Sequence, residues 1–129
     1  MAPSQALLER VRAALAALPR VTERKMFSGI TFMVNGKMCL SVGPSRLMCR
    51  IDPALHDEAV SRKGVTAVRM KGRVYRGFVH VSEDAVASRR DLDYWIGLSL
   101  AFNGEAKASR GRARRSFSKH VVRRFNSRQ

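Results

Sequence analysis

The spacing of apolar positions changes along this chain, and each change marks an element. Leu7, Leu8, Val11, Leu15 and Leu18 recur at three- and four-residue steps, the rhythm of one face of a helix, with Ser4 placed to cap it and Pro19 to stop it. From Met26 to Ile51 the rhythm becomes that of strands. Asn35-Gly36 tolerates the positive φ angles of a type I′ hairpin turn, and Gly43-Pro44-Ser45-Arg46 supplies a second turn. Three antiparallel strands are therefore predicted at about 27–34, 37–43 and 46–51. Asp52-Pro53 then opens a short helix, Asp as cap and Pro as first helical residue, with Leu55, Ala59 and Val60 on its apolar side up to Gly64. Two more strands, 65–70 and 74–81, flank a Lys71-Gly72 turn. Ser82 or Ser88 caps a last core helix carrying Leu92, Trp95, Ile96, Leu98, Ser99 and Phe102, which Asn103-Gly104 is expected to end.

The resulting order, α-βββ-α-ββ-α, predicts an α+β fold: an antiparallel sheet with the helices packed on one face. Trp95, Leu98 and Phe102 are expected to be buried against that sheet with Phe32 or Phe78. A chain of 129 residues suits one core and is too short for two.

Charge alters this picture at one end. The chain carries 25 Lys and Arg against 10 Asp and Glu, a net +15. Residues 1–103 account for +7 and residues 104–129 for +8, the latter from Lys107, Arg110, Arg112, Arg114, Arg115, Lys119, Arg123, Arg124 and Arg128 against Glu105 alone. We therefore divide the chain into a domain at 1–103 and a basic tail at 104–129, flexible or helical, because a segment so charged has little apolar surface to offset its ordering entropy. Polyanions follow as partners, nucleic acid or an acidic protein surface. Phe117, Val121 and Phe125 recur every fourth residue in the tail, a pattern that also fits a helix formed on a partner or on an acidic membrane surface. Glu9, Arg10 and Arg12 interrupt the first apolar stretch too often for a signal peptide or a membrane span, leaving an Arg-rich organelle presequence as the alternative to a cytoplasmic protein.

Several strings in order carry a family resemblance. These are Arg24-Lys25-Met26-Phe27-Ser28-Gly29-Ile30-Thr31-Phe32-Met33-Val34-Asn35-Gly36-Lys37-Met38-Cys39, Leu47-Met48-Cys49-Arg50, Gly72-Arg73-Val74-Tyr75-Arg76-Gly77-Phe78-Val79 and Leu92-Asp93-Tyr94-Trp95. Together, over about residues 5–103, they resemble the N-terminal domain of the bacterial TfoX/Sxy competence-regulator family. The resemblance implies a helix-backed sheet similar to secretion-chaperone-like proteins, and a regulatory role linked to transcription and competence. Two departures are mild: Ser28-Gly29 stands where the family usually has two glycines, and Tyr75-Arg76-Gly77-Phe78 where it often has Met-Lys-Gly-Phe. The helical second domain of the full-length regulator is absent from the sequence, and many members of the family consist of the N-terminal domain alone, so a stand-alone N-domain member is expected.

Candidate chemistry is sparse. His56, His80 and His120 have no metal-like spacing to one another or to the cysteines, and are expected at the surface. Asp52, Asp57 and Glu58 read as a helix cap and a solvated face, and no glycine-rich phosphate loop is present. No catalytic, cofactor or metal residue is predicted. A loop of Gly43-Pro44-Ser45 places Cys39 opposite Cys49 across two strands, whereas a loop of Pro44-Ser45 shifts the register by one and puts the thiols on opposite faces. Arg69, Lys71, Arg73 and Arg76 form a second basic patch; the alternation of the first three predicts one strip on the solvent face of the second hairpin, with Tyr75 and Phe78 adding aromatic surface or core. Its bland reading is a charged edge that discourages aggregation.

The expectation is a non-enzymatic, cytoplasmic regulatory or interaction domain, monomer or homodimer. It binds nucleic acid electrostatically through Arg110, Arg112, Arg114, Arg115, Lys119, Arg123, Arg124 and Arg128. The alternative is a protein-protein module with no nucleic-acid role, and an enzyme comes third.

Overall fold

The computed structural model describes residues 2–26 and 29–108. Helix α1 (Gln5–Leu15) leads into strands β1 (Val21–Met26), β2 (Gly29–Val34), β3 (Lys37–Val42) and β4 (Arg46–Arg50). A 3-10 turn (Pro53–Leu55) and helix α2 (His56–Val60) precede β5 (Val65–Met70) and β6 (Arg73–Ser82), and a second 3-10 turn (Glu83–Val86) precedes α3 (Arg89–Ala108). The strands form one six-stranded antiparallel sheet in the order β1-β2-β3-β4-β6-β5. The expected α+β architecture is therefore present, with one strand more than expected.

Alternation along the strands places Phe32, Val34, Leu40, Val42, Leu47, Cys49, Val79 and Val81 on one face of the sheet, where they share a single core with Leu7, Leu8, Val11 and Leu15 of α1, Ala59 of α2 and Leu92, Trp95 and Ile96 of α3. The three helices thus lie on that face. Across the other face runs a register row of Arg24, Thr31, Ser41, Met48, His80 and Thr66, one from each strand. Thr31 and Ser41 hydrogen-bond within it, hydroxyl to hydroxyl at 3.0 Å.

The additional strand is β1. Its sequence shows no apolar alternation because it is an edge strand held by ladder hydrogen bonds, and all but Val21 of its side chains are exposed. Arg20 reverses the chain just before it with φ 61, and its carbonyl accepts from the Asn35 amide at 3.1 Å. A two-pronged pair between the Arg12 guanidinium and Glu23, both bonds 2.8 Å, ties β1 to α1. The exposed Arg24 and Lys25 discourage a further strand from joining.

Ser4 caps α1 as expected, its Oγ accepting from the Leu7 amide at 3.2 Å. Ser82 and Ser88 both serve as caps, of different elements: Ser82 Oγ accepts from Ala85 before α3, and Ser88 Oγ accepts from Asp91 at 3.0 Å in its first turn. Trp95 is buried, but Leu98 and Phe102 are only half-buried, with Ile96 and Leu92 taking the inner positions instead. The helix does not end at Asn103-Gly104; it continues to Ala108. Asn103 is buried and its side-chain amide donates to the Val34 carbonyl at 3.0 Å, while Lys37 Nζ donates to the Asn103 carbonyl at 3.3 Å. A tertiary hydrogen bond has taken the residue that local preference would use as a stop.

Candidate nucleic-acid interface

The β5–β6 hairpin turns through Lys71 (φ 53) and Gly72 (φ 77), positive at both positions as a type I′ turn requires. Met70 faces Arg73 and Arg69 faces Val74, so Arg69 and Arg73 point to opposite sides of the hairpin and Lys71 occupies its tip. The single strip predicted from the alternation of Arg69, Lys71 and Arg73 is therefore not formed, because the turn interrupts the strand between them. Farther along, β6 carries extra residues between Val74 and Val79 relative to β5, and Gly77 adopts φ 92 within that bulge. A Cβ there would lie 3.1 Å from both the Ile51 carbonyl oxygen and the Pro53 ring. The bulge swings Arg76 toward α2, where it donates to Asp57 at 3.0 Å and to the Pro53 carbonyl at 3.3 Å. That hydrogen bond and the nearby guanidinium charge hold the Asp57 carboxyl below its usual range.

Arg69, Lys71 and Arg73 are exposed and make no ion pair with a described residue. Nor does any residue from Val65 to Ser82 carry a carboxylate. The wider sheet shows the same bias: its strands contain Arg24, Lys25, Lys37, Arg46, Arg50, Arg69, Arg73 and Arg76 against Glu23 alone, and Glu23 turns to the helical side to meet Arg12.

Beside the cations lies a row of rings. Tyr75 is 42% exposed and meets Phe78 edge-on with centroids 6.5 Å apart. The Arg50 guanidinium sits 5.7 Å from the Phe78 centroid and 5.3 Å from that of Phe102 in α3. Arg50 and Phe102 are not legible as members of this row in the sequence because their partners are distant in the chain: the β4–β6 pairing brings Arg50 to Phe78, and α3 brings Phe102 to Arg50. The row ends six residues before Ala108, the last described residue of α3. Arg110, Arg112, Arg114, Arg115, Lys119, Arg123, Arg124 and Arg128, with Phe117, Val121, Phe125 and His120, lie outside the described residues.

The titratable groups support the fold. His56, expected at the surface, is buried, and its Nδ1 accepts from the Gly77 amide at 3.2 Å, which pins the β6 bulge to α2. His80 is half-buried, and burial, with help from Arg46, lowers its pKa. Asp52 caps the first 3-10 turn, accepting from Ala54 at 2.9 Å. Gly43 bonds Arg46 across Pro44-Ser45 and Leu40 faces Cys49, so the two-residue turn sets the register. The thiols are nevertheless not on opposite faces. A bulge in β3 sets both Cys39 and Leu40 against Phe32, so Cys39 joins Cys49 in the core. Burial raises both thiol pKa values, that of Cys49 to about 12 despite the nearby Ser99 hydroxyl. Among the described residues, no three His, Cys, Asp or Glu side chains are placed to hold a metal ion, and no helix is long and apolar enough to cross a membrane.

The arrangement offers exposed positive charge beside one exposed ring, chemistry suited to holding an anion. No curated protein and no solved structure matches the chain. The family model of the TfoX N-terminal domain, however, matches residues 13–103, from the second half of α1 through the whole sheet to the buried Asn103. The chain belongs to the TfoX N-terminal domain family.

Proposed function

We propose that this protein is a non-catalytic regulatory domain of the competence-related TfoX type that binds nucleic acid electrostatically through residues 104–129. The observation that carries the reading is the distribution of charge: +8 of the net +15 resides in that last segment. The domain supports it. His56 is committed to the Gly77 amide and both thiols are sealed in the core, so these three groups serve the fold. A segment rich in arginine neutralises phosphates and releases their counterions, giving affinity with slight sequence preference.

The test uses the full chain with Arg110, Arg112, Arg114 and Arg115 replaced together by Gln. Fluorescence anisotropy with labelled duplex across a salt series should show weaker binding, with the slope of log affinity against log salt reduced by about 0.9 for each phosphate no longer neutralised. Unchanged affinity and slope would refute the reading. A second reading, docking of a protein partner, draws on the four-residue spacing of Phe117, Val121 and Phe125. Under it, Phe117→Ser with Phe125→Ser abolishes capture of the partner while duplex affinity in the wild-type chain is negligible.

A further inference from the structure

We propose that Tyr75, backed by Phe78 and Arg50, is a base-stacking site for single-stranded nucleic acid; this rests on the nucleic-acid reading above and gives it a strand preference. Tyr75 is the most exposed of the large apolar side chains among the described residues, at 42%. Its edge-on packing on Phe78 steadies the ring and leaves the remainder to solvent, while Arg50, held between Phe78 and Phe102, fixes Phe78 in turn. A steadied, exposed ring is what a nucleobase needs, since ordering it costs little further entropy on binding.

Charge around the ring favours phosphates. Arg69, Lys71 and Arg73 have no described ion-pair partner, no carboxylate occurs between Val65 and Ser82, and the Asp57 carboxylate beside the hairpin is paired with Arg76 at 3.0 Å. Arg73 lies two residues before Tyr75 on the same strand, close enough for one nucleotide to place its base on the ring and a phosphate near the guanidinium. Duplex bases are paired and stacked on one another, so their faces are closed to Tyr75, whereas those of a single strand are open. An acidic protein segment would satisfy the cations and leave the ring without a role.

The experiment compares the full chain with Tyr75→Leu and Tyr75→Phe, using anisotropy of short labelled DNA and RNA single strands and of a duplex of the same length. Tyr75→Leu should weaken single-strand binding by about 5- to 100-fold. The salt slope should be unchanged, because every cation that meets a phosphate is still in place, and so should duplex affinity. Tyr75→Phe should retain wild-type behaviour, since stacking needs the ring and not the hydroxyl. Equal single-strand affinity for Tyr75→Leu and wild type, with binding still weakened in the four-Arg variant, overturns the stacking site and leaves the tail reading standing. Binding of neither strand nor duplex by the wild-type chain overturns both. Poly-glutamate displacing the single strand from wild type and from Tyr75→Leu with equal potency shows a surface that reads charge alone, and also overturns the stacking site.

Discussion

Replacing Asn103 by Ala sets two effects of opposite sign against each other. In an unpinned helix the change is favourable, because Ala exceeds Asn in helix propensity by about 0.6 kcal/mol. In the fold it deletes a donor whose hydrogen bond to the Val34 carbonyl is 3.0 Å long, between residues that are 3% and 5% exposed. Losing a buried hydrogen bond of this kind costs about 1–2 kcal/mol, since water cannot readily replace the donor. The larger figure wins, leaving a net loss of roughly 0.5–1.5 kcal/mol. Trp95, the sole tryptophan and 4% exposed, reports unfolding directly. Urea denaturation followed by its fluorescence should show the midpoint falling by about 0.2–1.5 M with an unchanged slope. Asn103→Asp, similar in size but unable to donate when ionised, should lose at least as much. An Asn103→Ala protein as stable as the wild type, or more stable, would show that the residue acts through local helix preference and would refute the pinning.

Other outcomes follow from packing and burial. Gly29→Ala drives a Cβ into the Val42 carbonyl, a backbone atom that cannot step aside, so β2 and β3 must part; a loss of about 3 kcal/mol is expected by thermal melting. Trp95→Ala should cost about 3–5 kcal/mol by circular dichroism, a large part of a small domain's stability. Neither Cys39 nor Cys49 should react with a thiol-specific disulfide reagent in the native protein near pH 8, while both react in urea. Because both thiols hold their protons more tightly when folded, stability is fully present below pH 9 and falls as pH rises toward 12, by up to about 1.4 kcal/mol per pH unit for each thiol; denaturation midpoints that stay flat over that range would contradict it.

Local signals were legible where local physics decides. Asn35-Gly36 and Lys71-Gly72 read as tight turns because Gly, and Asn before it, adopt positive φ with little strain. Ser4, Asp52 and Ser88 read as caps for a similar reason. The misreadings share a different origin. β1 is polar because an edge needs no apolar face, so periodicity passes over it. The bulge at Cys39 changes which way one side chain points without altering composition, and His56 is buried because the bulge at Gly77 brings an amide to it. At the candidate interface, the basic residues were visible, but their arrangement was not: the turn separates Arg69 from Arg73, the bulge hands Arg76 to Asp57, and strand pairing delivers Arg50.

The scarcity of carboxylates in the strands has a consequence in time as well as in place. Within residues 1–103 the strands carry eight Lys and Arg against Glu23 alone, whereas the helices and connections balance eight carboxylates with eight Lys and Arg, so the excess positive charge of the domain lies toward its sheet. In the field of a polyanion such a body experiences a torque and turns its sheet forward before any atoms touch. The molecule then arrives correctly oriented in a larger share of its collisions, so the separation of charge shortens the search and its effect registers in the association rate. Added salt removes that guidance, and the rate of arrival falls.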